Sequence, residues 1–202
     1  GTGTNMATFI PADKITKLPS SVQAHGLIPV NLESGNFHPP FLTTVDEMVD
    51  ACSDSRGMQR FEKAVSGMYL GEILKSTFPL DEFEEKFDAQ KLTTIMNYPD
   101  IHKDKYVQVA HWIYNRSAQL VAASLAGLVS LLVSYNKDIK KVCLVAEGSM
   151  FWSINRKDKN YSVLVMEELE KLLNELGIGD VKVHVNKMNN ANLIGTAIAA
   201  LS

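Results

Sequence analysis

Two short apolar runs, each bounded by turn-forming residues, open the chain and predict two strands. Met6 to Ile10 is apolar with one threonine, and His25 to Leu32 leads into a Glu-Ser-Gly-Asn turn. The two strands can pair as a hairpin through the linker from Pro11 to Ala24. His38-Pro39-Pro40 then interrupts regular structure, because proline lacks an amide donor and restricts the residue before it.

Helical spacing dominates the middle of the chain. Apolar residues recur about every 3.6 positions from Met58 to Lys75 and again from Lys105 to Tyr135, which predicts two long helices. Asp81–Phe87 is predicted as a short acidic helix and Lys91–Asn97 as a possible turn closed by Pro99. A further helix is predicted from Thr44, where Glu47 would complete a capping box.

The last third alternates strands and helices. The predicted order is a strand at Val142–Ala146, a helix at Val163–Leu176 closed by Gly177, a strand at Val181–Val185, and a helix at Ala191–Leu201 capped by Asn189 or Asn190. This order implies a right-handed crossover and a partly parallel sheet. We therefore predict an α/β fold.

Composition gives a globular chain without the charge of a nucleic-acid or membrane binder. Of the 202 residues, 46% are apolar and 21% charged, and the net charge is -3. The longest mostly apolar run, Leu120 to Val133, is shorter than the ~20 residues that cross a bilayer, so we predict a buried core helix. We expect neither a nucleic acid nor a membrane as a partner.

The cysteines and the chain ends bear on location. Cys52 and Cys143 are far apart, with no metal or redox spacing, and we expect buried or half-buried thiols in a reducing cytoplasm. No signal-peptide pattern opens the sequence. Because it begins inside a Gly-Thr turn without an initiator methionine and closes in a helix, we expect a chain cut on its N-terminal side and complete at Ser202.

Three polar turns are candidate phosphate or nucleotide contacts. They are Gly1 to Asn5, Glu147 to Ser149 directly after an apolar strand, and Asn189 to Asn192 at the start of the last helix. Each alone fits an ordinary turn or cap better. Together they favour a nucleotide site, since a nucleotide needs several backbone contacts at once.

Two carboxylates, Glu33 and Glu62, are of the type that recognises sugar hydroxyls, because an ionised carboxylate accepts strong hydrogen bonds. From spacing alone, two solvated glutamates are the simpler interpretation. The five histidines show no metal-ligand spacing, and neither a Walker lysine motif nor a serine nucleophile elbow is present.

The segment MQRFEKAVSGMYLGE, residues 58–72, resembles a long and specific segment of hexokinases and glucokinases. Other segments resemble further family landmarks in the family's order. They are Gly1 to Asn5, Asn31 to Phe37, Ser117 to Leu128, Val145 to Met150 and Gly195 to Ala200. The resemblance therefore covers nearly the whole chain.

This resemblance implies a fold and a set of contacts. The fold would be the large subdomain of the actin-like, ribonuclease-H-like ATPases, a mixed sheet with helices on its faces, spanning residues 1–202. Asn5, Glu33 and Glu62 would bond hexose hydroxyls, with Gln59 as a weaker contact. Gly1, Thr2 and Gly3 would hold nucleotide phosphate, Gly67 would lie close to the nucleotide, and Gly148 and Ser149 would contact its phosphate or ribose. The substrates would be a hexose, most simply glucose, and ATP with Mg²⁺.

The departures from the family pattern are local, but one absence concerns catalysis. Ser34 stands where the family usually has Trp, Glu147 where it has Asp, and Asn186 to Asn192 lacks a Gly-Ser-Gly. The family's small domain, with the aspartate that serves as general base, would precede Gly1. We thus expect no catalytic residue in this chain and no kinase activity from it alone.

The sequence leaves two other functions open. One is a hexokinase-like sensor or regulatory protein that binds sugar or nucleotide without catalysis. The other is an actin-like assembly protein, for which the contexts of Glu33 and Glu62 would be coincidental.

Overall fold

A computed structural model describes residues 2–17, 19, 25–191 and 193–195. Strands β1 (Ala7–Pro11) and β2 (Leu27–Asn31) pair antiparallel, as predicted, with Ala7 opposite Asn31. Strands β3 (Lys141–Ala146) and β4 (Lys182–Lys187) pair in parallel. Within the described residues, the antiparallel and parallel parts are two separate two-stranded sheets.

Six α-helices of six or more residues accompany these sheets in the described part of the chain. They are α1 (Thr44–Ala51), α2 (Arg60–Val65), α3 (Gly67–Thr77), α4 (Ala89–Asn97), α5 (Asp104–Tyr135) and α6 (Tyr161–Glu175). The crossover that a parallel strand pair requires is made by α6, between β3 and β4. The predicted cap is confirmed, since Gly177 follows α6 with a φ of +73°.

The core lies between α5 and its neighbours. One stripe of α5 is buried, including Ala110, Tyr114, Ala118 and Ala122, and it packs mainly against α6, α3 and α4. The mean hydropathy of α5 reaches 1.8 over 18 residues, so by length and composition this helix could cross a membrane. Its buried stripe within one hydrophobic core fits the predicted core helix instead.

The single helix predicted from Met58 to Lys75 is wrong, because Ser66 divides it into α2 and α3. Ser66 has extended backbone angles, φ -82° and ψ 152°. Its buried hydroxyl donates to the carbonyl oxygen of Thr2 at 3.0 Å. This tertiary hydrogen bond competes with the helical pattern, which continues on both sides of the break.

The helix predicted at Asp81–Phe87 is also absent, and this segment is irregular. The ring of Phe83 lies 5.3 Å from that of Phe87 and 5.4 Å from that of Tyr106 on α5. Aromatic burial against α5 therefore decides the path of this acidic segment, not its local helix preference.

The first helix begins one residue earlier than its predicted cap. Thr43 is the N-cap and Asp46 completes the capping box, in place of Thr44 and Glu47. The Asp46 carboxylate accepts from the Thr43 amide at 2.6 Å and is bound by Arg116 on α5 at 2.7 Å. The ion pair with α5 explains why Asp46 is buried and sets the start of α1.

Two further expectations concern the cysteines and the last helix. Cys52 and Cys143 are exposed free thiols, which corrects the expectation of buried or half-buried ones. Cys143 is exposed because it lies on the outer face of β3, whose residues alternate in burial. Most of the predicted helix Ala191–Leu201 lies outside the described residues, although Ala191 and residues 193–195 are helical.

Candidate functional site

The Glu62 carboxylate lies against the segment that opens the chain. Glu62 is in the first turn of α2, and its Oε2 accepts a hydrogen bond from the Thr4 amide at 2.9 Å. Gly3 and Gly35 leave room for it: a Cβ at Gly3 would stand 2.8 Å from Glu62 Oε2, and one at Gly35 would stand 3.3 Å from Glu62 Cβ. The two glycines therefore allow this close approach.

A chain of amide and carboxylate groups joins Asn5 to Glu33. Asn5 Nδ2 donates to Asn31 Oδ1 at 2.6 Å, and Asn31 Nδ2 donates to Glu33 Oε1 at 2.6 Å. Asn5 and Glu33 are both exposed. Because Thr4 and Asn5 are consecutive, the predicted carboxylates Glu62 and Glu33 each connect to the same short segment.

Gln59 lies beside the turn after β2 and shares an unusual backbone conformation with Glu33. Both residues are left-handed, with φ of +48° at Glu33 and +52° at Gln59. Such a conformation costs a residue with a side chain roughly 1–3 kcal/mol and clusters at functional sites. The amide of Gln59 donates to Asn36 Oδ1 at 3.3 Å, and Phe61 N donates to Phe37 O at 2.9 Å. These bonds hold the start of α2 along the turn that comes after β2.

A buried ion cluster fixes the opposite side of α2. Asp50 on α1 receives Lys63 Nζ at 2.7 Å and Arg60 Nη1 at 2.8 Å, and the three side chains are at most 6% exposed. Arg60 also pairs with Glu47. Burial alone would raise the pKa of Asp50, but the hydrogen bonds from Lys63 and Gly57, together with the two positive charges, hold that pKa below its usual value.

A pocket of about 880 Å³ lies next to the opening segment. Thr2, Gly67 and Ser149 line it together, although they are far apart in sequence. Gly67 is the first residue of α3, and the first backbone amides of an α-helix have no partner within the helix. The volume is within the range of small-molecule sites.

The remaining predicted phosphate contacts lie differently. Gly148 directly precedes Ser149 and has a φ of +119°, which glycine tolerates. Gly3 is not among the residues lining the pocket and faces Glu62 instead. Gly1 lies outside the described residues.

Two of the predicted polar turns meet at the ends of the parallel strands. Glu147 Oε1, after β3, accepts a hydrogen bond from the Asn190 amide, after β4, at 3.0 Å. Ends of parallel strands at one edge are where ligands gather in α/β sheets. The described part of the chain holds no group of three or more His, Cys, Asp or Glu arranged to bind a metal.

Sequence reasoning missed one wall of the pocket. Residues 85–90, together with Thr93, Thr94 and Asn97 of α4 and with Ser153, also line the pocket. The one local signal was Asp88, a helix-capping residue whose carboxylate accepts from Gln90 N at 3.0 Å. That signal places the start of α4 but does not reveal that α4 faces a pocket.

Tyr69 on α3 lines the pocket and lies close enough to Glu62 to be affected by its charge. Its phenol has a raised pKa, chiefly because of burial and secondly because of the negative charge of Glu62. Tyr69 therefore stays neutral and can donate a hydrogen bond at any physiological pH.

Comparison with known proteins gives a consistent result. The hexokinase family model matches residues 1–95 and 80–202. Hexokinase-1 of Arabidopsis thaliana is 26% identical over an alignment covering 100% of this chain and 48% of its own length. Hexokinase-2 of Oryza sativa subsp. japonica is 32% identical over 65% of this chain and 27% of its own length. The chain thus spans less than half the length of these relatives.

Solved structures show the same fold. A hexokinase crystal structure superposes with a TM-score of 0.73 at 25% identity, covering 94% of this chain and 46% of the other. Hexokinase from Schistosoma mansoni complexed with glucose superposes with a TM-score of 0.68 at 21% identity, covering 93% of this chain and 48% of the other. The fold is therefore that of the actin-like ATPases, as the resemblance implied.

Proposed function

This chain belongs to the hexokinase family, and we propose that it forms part of an ATP-dependent kinase that phosphorylates the 6-hydroxyl of glucose or a related hexose. One observation carries the proposal: Glu33 and Glu62 connect to the Thr4–Asn5 segment, while the adjacent Thr2 lines a pocket with Gly67 and Ser149. Two carboxylates of the kind that bind sugar hydroxyls thus lie next to a pocket whose backbone groups could bind phosphate.

The hexose would be bound by Asn5, Glu33 and Glu62, with Gln59 as a weaker contact. Ionised carboxylates accept hydroxyl hydrogen bonds that are about twice as strong as neutral ones. The partial exposure of these side chains leaves them accessible to a ligand. Binding at several hydroxyls would fix the orientation of the ring, which a phosphoryl transfer needs.

The nucleotide would occupy the 880 Å³ pocket. Thr2 and the amides that begin α3 at Gly67 would face its phosphates, and Gly148 and Ser149 its phosphate or ribose. Mg²⁺ normally binds through one or two carboxylates plus substrate phosphates. Since the described residues offer no cluster of metal ligands, we propose that Mg²⁺ enters on the ATP, where it would neutralise phosphate charge.

The general base would come from outside this segment. We propose that residues 1–202 form the large domain and that a small domain carrying the catalytic aspartate precedes it, since the relatives are about twice as long as the matched region. Closure of two domains over the sugar would exclude water, which otherwise competes for the phosphoryl group. The free, exposed thiols of Cys52 and Cys143 support a reducing compartment, and we propose the cytoplasm.

The test is an ADP-coupled assay on the full-length protein with a panel of hexoses. We expect turnover with at least one hexose, and the Glu62→Gln variant should raise the KM for that hexose by roughly tenfold or more, the value of a hydrogen bond to a charged group. Glu175→Gln, at the end of α6 and far along the chain from this site, is the matched control.

The possible results separate the two functions that remain. Hexose binding without turnover would favour a sensor over a kinase. If the protein neither binds nor phosphorylates any hexose, the proposal is refuted.

A further inference from the structure

The polar contacts of Asn31 carry an inference about how the hexose contacts are held. We propose that Asn31 is a positioning residue, which fixes the directions in which Asn5 donates and Glu33 accepts. This inference rests on the proposed function, because it gives Asn5 and Glu33 their roles toward hexose. Asn31 is the last residue of β2, so a regular strand sets its place.

The amide of Asn5 has a single possible orientation. Its Oδ1 accepts from two backbone amides, Met6 N at 2.8 Å and Ser34 N at 3.1 Å. Backbone amides can only donate, so the oxygen must face them and the NH₂ group must face Asn31. The orientation therefore follows from the partners and not from an arbitrary choice between nitrogen and oxygen.

The second partner of Asn31 fixes its other end. An ionised carboxylate such as Glu33 only accepts hydrogen bonds, so the group facing it must be a donor. Asn31 Nδ2 fills this position at 2.6 Å, while Asn31 Oδ1 receives Asn5 Nδ2 at 2.6 Å and also the Glu33 amide at 3.3 Å. The position between Asn5 and Glu33 needs a short, uncharged side chain that accepts from Asn5 and donates to Glu33. The amide of asparagine meets these requirements.

The arrangement leaves defined groups free for a ligand. One hydrogen of the Asn5 amide and Oε1 of Glu33 are used by Asn31. The second amide hydrogen of Asn5 and Oε2 of Glu33 are then directed by the same bonds and can meet neighbouring hydroxyls of one ring. Asn31 is not among the residues that line the nucleotide pocket, and its side chain bonds Asn5 and Glu33, so its role would be exerted through these two residues.

Two substitutions distinguish positioning from packing. Asn31→Asp keeps the shape of the side chain but sets a carboxylate against Glu33, which repels it. Asn31→Ala removes both hydrogen bonds without adding charge. Positioning predicts that the isosteric Asp variant is the worse of the two for hexose binding, whereas a packing role predicts that Ala is worse.

The experiment measures hexose and ATP affinity in the full-length protein, together with the thermal midpoint. For Asn31→Asp we expect the glucose Kd to rise by roughly tenfold or more, with a smaller rise for Asn31→Ala. The KM for ATP and the thermal midpoint should stay close to those of the wild type, since Asn31 is exposed. Asn136→Asp is the control, because exposed Asn136 uses only its oxygen, which accepts from Asp138 N at 2.9 Å.

The outcomes separate this inference from the proposed function. If the wild type binds glucose and Asn31→Asp binds it equally well, or better than Asn31→Ala does, the positioning role is wrong while the proposed function stands. Equal weakening for glucose and ATP would also overturn the positioning role. If the wild type binds no hexose, the proposed function fails, and this inference fails with it.

Discussion

At the scale of single residues, the absence of a side chain at Gly3 matters as much as the presence of one at Glu62. A methyl group at Gly3 would stand 2.8 Å from Glu62 Oε2 and 3.4 Å from its Cδ. The group in the way is the far end of a flexible side chain, so the carboxylate would move and the backbone would not. Gly3 thereby sets where the Glu62 carboxylate is held.

We predict that Gly3→Ala weakens hexose binding by about tenfold with little loss of stability, because it displaces a carboxylate that forms charge-assisted bonds. Calorimetric titration of glucose, with urea unfolding in parallel, measures both quantities. Gly127→Ala is the control, since a Cβ there meets nothing within 4 Å. Unchanged glucose affinity in Gly3→Ala would show that the position of Glu62 does not matter.

The sequence predicts which residues contact the sugar, and the structure adds a backbone conformation that the sequence does not indicate. Glu33, Gln59 and Glu62 were found through a family-like pattern of neighbours. The left-handed conformations of Glu33 and Gln59 left no local signal, since neither is Gly or Asn. These conformations depend on partners from other parts of the chain, such as Asn36 for Gln59.

At the scale of elements, buried ion pairs attach α2 to α1 on the side of the helix away from Glu62. Arg60 and Lys63 point into α1 and share Asp50, while Glu62 on the same helix points to the opening segment. A helix of six residues has little stability of its own. The buried ion cluster therefore acts together with the buried Phe61, Ala64 and Val65 of the same helix in fixing the direction of Glu62.

We predict that Asp50→Asn lowers the free energy of unfolding at pH 7 by roughly 3 kcal/mol, because it leaves two buried cations short of a counter-charge. The pKa of Asp50 is held below its ordinary value of 3.8, so this stabilisation is complete above that pH and is lost as the pH falls through the lowered pKa. The difference in the free energy of unfolding between the wild type and Asp50→Asn should therefore become smaller below about pH 3.8.

Urea unfolding followed from pH 7 to pH 3 measures this gap, with the exposed Asp138→Asn as the matched control. A gap of the same size at both ends of the range would mean that the charge of Asp50 is not what stabilises α2.

Element types could be predicted from periodicity wherever one face of an element is buried. The hairpin, the parallel pair, α5 and α6 were all predicted within a few residues of their ends. The failures are at 58–75 and 81–87, where a single distant contact decides the local structure. The hydroxyl of Ser66 bonds Thr2, and the ring of Phe83 packs on Tyr106, and neither partner is visible in a short window of sequence.

At the scale of the whole molecule, we propose that the described residues form one wall of a cleft. Glu62 and the Asn31–Glu33 pair contact Thr4 and Asn5, close in sequence to Thr2 in the pocket lining, and the matched region is less than half of each compared hexokinase. We predict that the 202 residues expressed alone show no glucose-dependent ATP turnover, since orientation of the attacking hydroxyl and exclusion of water would both be lost.

A coupled ADP assay, with calorimetry for residual glucose binding, makes this measurement. Binding should be weak at best, because one side of the sugar would face water. Steady turnover by the 202 residues alone would refute the proposal that catalysis needs a second domain.

Ser66 is at once the end of one helix and the start of the next. Its amide closes α2 on Glu62 O at 2.8 Å, its carbonyl starts α3 by accepting from Tyr69 N, and its hydroxyl holds Thr2. The helix that carries Glu62 and the helix that begins at Gly67 are thus joined through the hydrogen bonds of one residue. A sugar that displaced Glu62 would therefore also shift the first amides of α3. Binding of the hexose would in this way alter the pocket proposed for the nucleotide.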